Sequence, residues 1–157
     1  MTRVGVISDT HGLLRPEAIA ALGGSDLIIH AGDVGPPEIL EQLGRIAPVT
    51  AVRGNVDTAP WAETLAPCEV VDAGGHQLFV LHRLDHLDLD PVAAGFAAVI
   101  YGHSHAPSAE IRRGVLYLNP GSAGPRRFSL PVTLVRLRVS QAGIDSEFVH
   151  LDIPRSM

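Results

Sequence analysis

The chain is short of several things, and each shortage closes a door. Cys68 is the single cysteine among 157 residues, so no intramolecular disulfide and no cysteine-based metal site can form. Lysine is absent altogether, and all 12 basic side chains are arginine. A glycine-rich phosphate loop closed by lysine is therefore excluded. Arginine is suited to bidentate phosphate recognition, but coding bias in an Ala/Gly/Arg-rich genome accounts better for the replacement. No apolar run approaches the roughly 20 residues needed to cross a bilayer, so no membrane partner is expected. A basic region followed by an apolar one and a small-residue cleavage site is also missing, which makes the cytoplasm the expected compartment. Excess positive charge is lacking too. The net charge of −5 argues against a protein that coats nucleic acid, and no long basic groove is evident. Ser104 lacks the flanking pattern of a nucleophile elbow, which excludes a serine hydrolase built on it.

What the sequence does contain is apolar residues, 46% of the chain, enough for one domain of ordinary size, expected over residues 1–157. Residues 3–8 form a short apolar run that reads as a buried strand and ends in Asp9-Thr10-His11-Gly12. Residues 16–22 have helical spacing with proline in the first turn, and Gly23-Gly24 stops them. A second strand over 26–30 ends in Ala31-Gly32-Asp33, a helix over 36–43 is closed by Gly44, and a third strand over 49–53 ends in Gly54-Asn55. Strand and helix in alternation predict a parallel sheet with right-handed crossovers. After an irregular stretch over 57–67, residues 68–72 and 77–81 read as a hairpin about Gly74-Gly75 and end in His82. A short helix over 90–96 leads to a strand over 97–101, which stops at Gly102-His103-Ser104-His105. Short strands follow over 109–112, 115–118, 132–139 and 145–151, with a tight turn at Asn119-Pro120-Gly121-Ser122. The expected class is α/β, with two sheets facing each other and helices outside.

Five of these strands end in residues able to bind a metal: Asp9 with His11, Asp33, Asn55, His82, and His103 with His105. Ligands of open α/β sheets bind outside the carboxyl ends of strands, so the five ends could share one crevice. Seven candidate groups exceed the three or so that a catalytic zinc takes, and they suit two ions roughly 3.5–4 Å apart. Asp33 is the natural bridge, since its two oxygens can each hold one ion. A nitrogen and oxygen donor set without thiolate favours Mn, Fe, Ni or Zn over calcium, with manganese foremost. Such a pair acidifies a bound water and clamps the attacking and leaving oxygens of a phosphoryl centre, which implies in-line hydrolysis of a phosphate ester.

These motifs together resemble the calcineurin-like metallophosphoesterases, most closely their small single-domain branch, whose bacterial and archaeal members act as phosphodiesterases. The resemblance covers nearly the whole chain and extends through Asn119-Pro120-Gly121-Ser122 to Pro125-Arg126. It implies a four-layer αββα sandwich of two mixed sheets flanked by helices. It also implies a division of labour: Asp9, His11 and His105 on one metal, Asn55, His82 and His103 on the other, and Asp33 bridging. A hydroxide held between the ions would attack phosphorus, with Asp33, Asn55 and His82 at the reacting centre and Asn55 helping to stabilise the developing charge. Apart from the resemblance, Arg112-Arg113 and Arg126-Arg127, Arg126 foremost, are either a clamp for the substrate phosphate or plain surface arginines.

The sequence departs from the family twice. Many members carry a histidine after the Gly-Asn pair that can protonate the leaving group, and here the position is Val56, followed by Asp57. The usual His-Gly-His reads His82-Arg83-Leu84; His82 keeps the ligand position and is given that role, while nearby His86 could substitute for the missing second histidine only through a loop shift. His30 is expected to be buried and hydrogen-bonded rather than ligating, and His76 and His150 to face solvent. Asp72, Asp85, Asp88 and Asp90 read as a solvated acidic loop. The expected partner is a small phosphate-ester substrate, with self-association into a homo-oligomer open. The alternative function is a non-catalytic interaction scaffold on the same fold, in the manner of the retromer scaffold subunit that resembles this family. Such a scaffold has no need to keep all seven groups.

Overall fold

In the computed structural model of the protein, residues 1–127 and 129–151 are described. Phe128 and residues 152–157, which the expected domain span includes, lie outside them.

The first sheet grows from the apolar run at the N-terminus. Strand β1 (Thr2–Ile7) pairs in parallel with β2 (Leu27–His30), which pairs in parallel with β3 (Val49–Ala51). The crossovers are helices α1 (Pro16–Leu22) and α2 (Glu38–Gly44). Helix α2 begins two residues later than its spacing predicts. Pro36 and Pro37 precede it, and a proline disfavours helical backbone in the residue before it. The alternation of side chains along a strand sorts β1 cleanly: Val4 and Val6 point to one apolar cluster, while Ile7 joins the cluster that holds Leu22 of α1 and Leu43 of α2. Gly5 faces the same way as Ile7, and a Cβ there would lie 2.9 Å from Ser25 Oγ and overlap Leu22.

The second sheet opens with the expected hairpin, β4 (Cys68–Ala73) and β5 (His76–Leu81), turned through Gly74 and Gly75 at φ of 56° and 86°. Next to β5, and parallel to it, lies β6 (Ala98–Ile100), reached through helix α3 (Pro91–Ala94). Helix α3 is shorter than expected because Gly95 takes the left-handed conformation, φ 79°, and caps it. Strands β7 (Ser108–Arg112) and β8 (Val115–Asn119) complete this sheet in the order β4-β5-β6-β8-β7. The chain then returns. Strand β9 (Thr133–Ser140) joins the first sheet antiparallel to β1, and β10 (Gly143–His150) pairs antiparallel with β9, giving β10-β9-β1-β2-β3. Chain order therefore does not divide into a parallel and an antiparallel half; each sheet is mixed.

Three apolar layers hold the sandwich. Val6, Ile29, Leu78, Ile100, Leu118 and Leu137 fill the space between the sheets. Ile7, Leu22, Ile28 and Leu43 pack the first sheet against α1 and α2. Phe79, Val99 and Tyr117 pack the outer face of the second sheet beneath Leu84, Leu87 and Phe96. Each fully buried Leu or Ile contributes roughly 1.5–3 kcal/mol. The αββα architecture is as expected, although the outer layer of the second sheet is only α3 and a 3-10 turn over Leu84–His86. No helix among the described residues is long and apolar enough to cross a membrane.

His76 departs from the expected solvent-facing role. Its Nε2 lies 2.8 Å from the carbonyl oxygen of Ser140, joining the start of β5 to the end of β9 across the two sheets. Asp85 is paired with Arg83 at 2.7 Å, and Asp90 caps α3 by accepting from the Val92 N–H.

Candidate metal centre

Because β1, β2 and β3 run parallel in one sheet and β5 and β6 in the other, their carboxyl ends meet at one pole. The seven expected residues come together there. In one group the candidate ligand atoms of Asp9, His11 and His105 lie within 4.8 Å of one another, and in a second so do those of Asp33, His82 and His103. Asn55 joins the second group, its Oδ1 lying 3.2 Å from His103 Nδ1. His86 belongs to neither group; it ends the exposed 3-10 turn.

The backbone is bent to achieve this. Among described non-glycine residues, six have positive φ, and five are Asp9 (55°), His11 (47°), Asp33 (58°), His103 (75°) and His105 (64°). Left-handed backbone at such residues costs on the order of 1–3 kcal/mol each, and it clusters where function demands it. The loops after β1 and β6 use the same device, two left-handed residues separated by one, so that both side chains turn inward. Glycines make room for the close approach. A Cβ on Gly102 would lie 2.7 Å from Asp9 Oδ2 and overlap Ser8, and one on Gly54 would overlap the Asp33 carboxylate.

Each carboxylate is held by one oxygen and presents the other. Asp9 Oδ2 accepts from Ser8 Oγ at 2.8 Å and from the His103 N–H at 3.1 Å. Asp9 Oδ1 is buried without a hydrogen-bond partner, 3.5 Å from His105 Nε2 and 3.8 Å from both His11 and His82 Nε2. Asp33 Oδ1 accepts from the Val56 N–H at 3.0 Å, while Oδ2 lies 3.1 Å from His82 Nε2 and 3.6 Å from His11 Nε2. The expectation that each Asp33 oxygen serves its own ion therefore changes. Oδ1 is engaged by backbone, and a single oxygen, Oδ2, faces both groups.

The imidazoles are oriented in the same way. His82 Nδ1 donates to the Ala31 carbonyl at 2.7 Å, which leaves Nε2 aimed at the carboxylates, buried and without a hydrogen-bond partner. Donation of the far nitrogen to a carbonyl is how metal-binding histidines are commonly fixed. His11 and His105 face each other with Nε2 atoms 3.3 Å apart.

Charge and burial oppose each other across this cluster. Burial pushes the Asp9 carboxyl up to about 6, against the opposing pull of His82 and Ser8. Burial, with Arg127 and His11 adding to it, lowers His105 to about 4. Burial also pulls His82 down, but Asp33, the Ala31 carbonyl and Asp9 outweigh it, and its pKa rises. For Asp33 burial acts upward, yet His82, the Val56 N–H and His11 carry it below the usual carboxylate range. Two carboxylates and four imidazoles in so small a volume, with orphaned atoms Asp9 Oδ1 and His82 Nε2 aimed inward, fit a cationic occupant.

The surrounding residues that position the cluster were only partly foreseen. His30 is fully buried, as expected: its Nδ1 accepts from the Gly32 N–H at 3.1 Å and its Nε2 lies 3.0 Å from Thr10 Oγ1. Burial lowers its pKa to about 3. Ser122 Oγ donates to the Asp9 carbonyl at 3.0 Å, and Asn119 Nδ2 donates to the Gly102 carbonyl at 3.1 Å, which gives the Asn-Pro-Gly-Ser turn its role. Asp57 is buried and accepts from several backbone N–H groups; nothing beyond its place after Gly-Asn-Val singles it out in the sequence. Arg126 and Arg127 are exposed on the loop that packs over Thr10 through Gly124, and it is the charge of Arg127 that His11 and His105 feel. Arg112 is engaged elsewhere, with Glu110 at 2.9 Å and over the Tyr117 ring at 4.7 Å.

Comparison with known proteins agrees with this geometry. The calcineurin-like phosphoesterase superfamily domain matches residues 2–142. The chain belongs to this family. It is thus of the expected class, a metal-dependent phosphoesterase. A probable metallophosphoesterase of Methanothermobacter thermautotrophicus is 34% identical over 96% of this chain and 94% of its own length. Phosphodiesterase YfcE of Escherichia coli K12 is 30% identical over 78% of this chain and 79% of its own. Among solved structures, an archaeal phosphodiesterase superposes with a TM-score of 0.77 at 22% identity, covering 94% of this chain and all 100% of that one. Vps29 of Entamoeba histolytica, complexed with Zn²⁺, superposes with a TM-score of 0.73 at 20% identity, covering 96% and 100%. At these identities the two structures speak for the fold alone.

Proposed function

We propose that the chain is a cytoplasmic, single-domain phosphodiesterase that works with two divalent transition-metal ions, manganese foremost, on a small phosphodiester. Asp9, His11 and His105 would hold one ion, and Asn55, His82 and His103 the other. Asp33 would bridge them through Oδ2, the oxygen that faces both groups. The observation that carries the reading is the pair of orphaned buried atoms, Asp9 Oδ1 and His82 Nε2, among inward-turned imidazoles. When bound, such a pair supplies a water acidified towards neutrality and a clamp on the oxygens of the phosphoryl group.

The chain's own part is positioning and charge. The His82 N–H is tied to Ala31, so its free nitrogen is kept on the side of the centre. Asn55 is exposed beside His103, where its amide can donate to a phosphoryl oxygen as charge develops. Arg126 and Arg127, exposed on the loop above Thr10, would meet the substrate's outward phosphate oxygen. Strain at five ligand positions favours this reading over a scaffold, which gains nothing from it.

The test is hydrolysis of an aryl phosphodiester by purified protein. Activity should vanish on chelation and return with Mn²⁺ or Ni²⁺, with about two equivalents of metal bound. Undiminished activity in a fully chelated sample would overturn the reading.

A further inference from the structure

We propose that Asp57 is a positioning residue for the metal centre, acting as the internal anion that laces the loop after β2 to the loop after β3. The inference rests on the dinuclear reading above and deepens it. The Asp57 carboxylate is 5% exposed. Its Oδ2 accepts from the Asp33 N–H at 3.0 Å and the Gly54 N–H at 2.8 Å, and its Oδ1 from the Val34 N–H at 3.0 Å and the Gly35 N–H at 3.4 Å. Among the described residues no arginine or histidine forms an ion pair with it. Among the described residues its hydrogen bonds come from backbone amides alone.

The local backbone explains how. Asp33 and Gly35 both have positive φ, 58° and 100°, which turns successive N–H groups of residues 33–35 to one side and forms a concave nest for an anion. Such nests commonly receive a ligand's phosphate. Here the protein fills its own with Asp57. The lacing then runs in both directions: while the Asp33 N–H donates to Asp57, the Asp33 carboxylate accepts from the Val56 N–H at 3.0 Å. Residues 33 and 54–57 are thereby locked together, and the lock sets two oxygens at once. One is Asp33 Oδ2, which faces both groups of ligands, and the other is Asn55 Oδ1, which follows directly on Gly54 and belongs to the second group alone.

The chemistry requires a carboxylate. Four N–H donors converge on two acceptor oxygens, whereas an amide has one acceptor oxygen and would point its own N–H₂ at donors. Asp57→Asn keeps the shape but removes one of the two acceptor oxygens, which loosens the lock. The experiment is Mn²⁺ titration of chelated wild-type and D57N protein, read by bound metal and by electron paramagnetic resonance. Wild type should hold two ions with an exchange-coupled signal. D57N should retain the ion of Asp9, His11 and His105, show an uncoupled six-line signal, and bind its second ion roughly 10–100-fold more weakly. Its kcat should fall while KM changes little, because a group that only positions ligands does not touch substrate. Two ions bound to D57N with wild-type affinity and a coupled signal would overturn the proposal. A wild-type protein that binds one ion or none would instead sink the dinuclear reading, and that is visible before any variant is made. If D57N does not fold, D57S, which also lacks the carboxylate, takes its place, and wild-type affinity for both ions there overturns the proposal equally. Independently, the amides of residues 33–35 and 54 in chelated wild type should exchange slowly with solvent; fast exchange at these amides also overturns it.

Discussion

The two halves of the centre are built differently. The half formed by Asp9, His11 and His105 is sunk in the protein: Asp9 is 0% and His105 2% exposed, and the Asn119–Gly124 loop covers it through Ser122 and Gly124. The other half keeps Asp33 and His82 buried but leaves Asn55 and His103 exposed, and its supports come from behind, through Ala31 and Asp57. On the two-ion reading proposed above, the difference would give them different work. A sunken half with few exposed ligands suits an ion that stays, and an open half suits the ion over which substrate arrives. The same contrast appears in the histidine pair. His103 and His105 are separated by one residue, both left-handed, yet one is exposed and the other buried.

The largest expected effect comes from removing what the halves share. Asp33→Ala deletes an oxygen that faces both groups, at 3.1 Å from His82 and 3.6 Å from His11. Activity on an aryl phosphodiester should fall by more than the roughly 10–100-fold typical of losing a residue that only supports a ligand, and both ions should be lost on dialysis. Two retained ions in D33A would break the shared-oxygen picture. Next is His105→Ala, which touches the sunken half alone. Metal analysis along a chelator titration should show one ion leaving well before the other, with the ion near Asn55, His82 and His103 retained longer. Equal loss of both would erase the distinction between the halves.

Much of this was legible in the sequence, for a physical reason. Buried parallel strands are short continuous apolar runs, and they stop where a glycine and a polar ligand begin; Val4–Ile7 before Asp9 and Ala98–Ile100 before Gly102-His103 are examples. Strand ends and ligand identities are therefore local properties. What joins distant segments is not. The return of β9 to pair with β1, Val6 opposite Val135, depends on tertiary pairing that no local pattern carries. Asp57 looks like one more loop acid, because its four N–H partners come from two segments, one of them more than 20 residues away. Likewise the single-oxygen role of Asp33 depends on the Val56 N–H.

A smaller effect separates the support of the centre from its ligands. His30 is fully buried and its folded pKa is lowered from 6.5 to about 3 by burial. A base with a depressed folded pKa contributes stability above its unfolded value, and that stability is lost as pH falls from about 6.5 towards 3. Asp9, raised to about 6, works in the opposite sense in the chelated protein, losing stability as pH rises through that value. The comparison that isolates His30 is chelated wild type against His30→Gln. Between pH 6.5 and 4.5 wild type should lose on the order of 2–3 kcal/mol more than the variant, at 1.36 kcal/mol per unit, read from urea unfolding at each pH. Parallel stability curves would show that the buried imidazole titrates freely and does not brace Thr10 and Gly32.

The smallest effect tests whether the two halves share a support as well as a ligand. Asn119 donates to the Gly102 carbonyl and to Ser104 Oγ, both at 3.1 Å, and accepts from the Gly121 N–H at 2.9 Å. It therefore braces the loop that sends His103 to one half and His105 to the other. Asn119→Ala removes three hydrogen bonds without touching a ligand, at about 1 kcal/mol each before relaxation. Affinity for both ions should weaken together and by similar factors, unlike in His105→Ala. If N119A instead lost the sunken ion first, the Asn-Pro-Gly-Ser turn would belong to that half alone. The open half would then depend on Ala31 and Asp57 from behind, with no brace from the loop that carries His103.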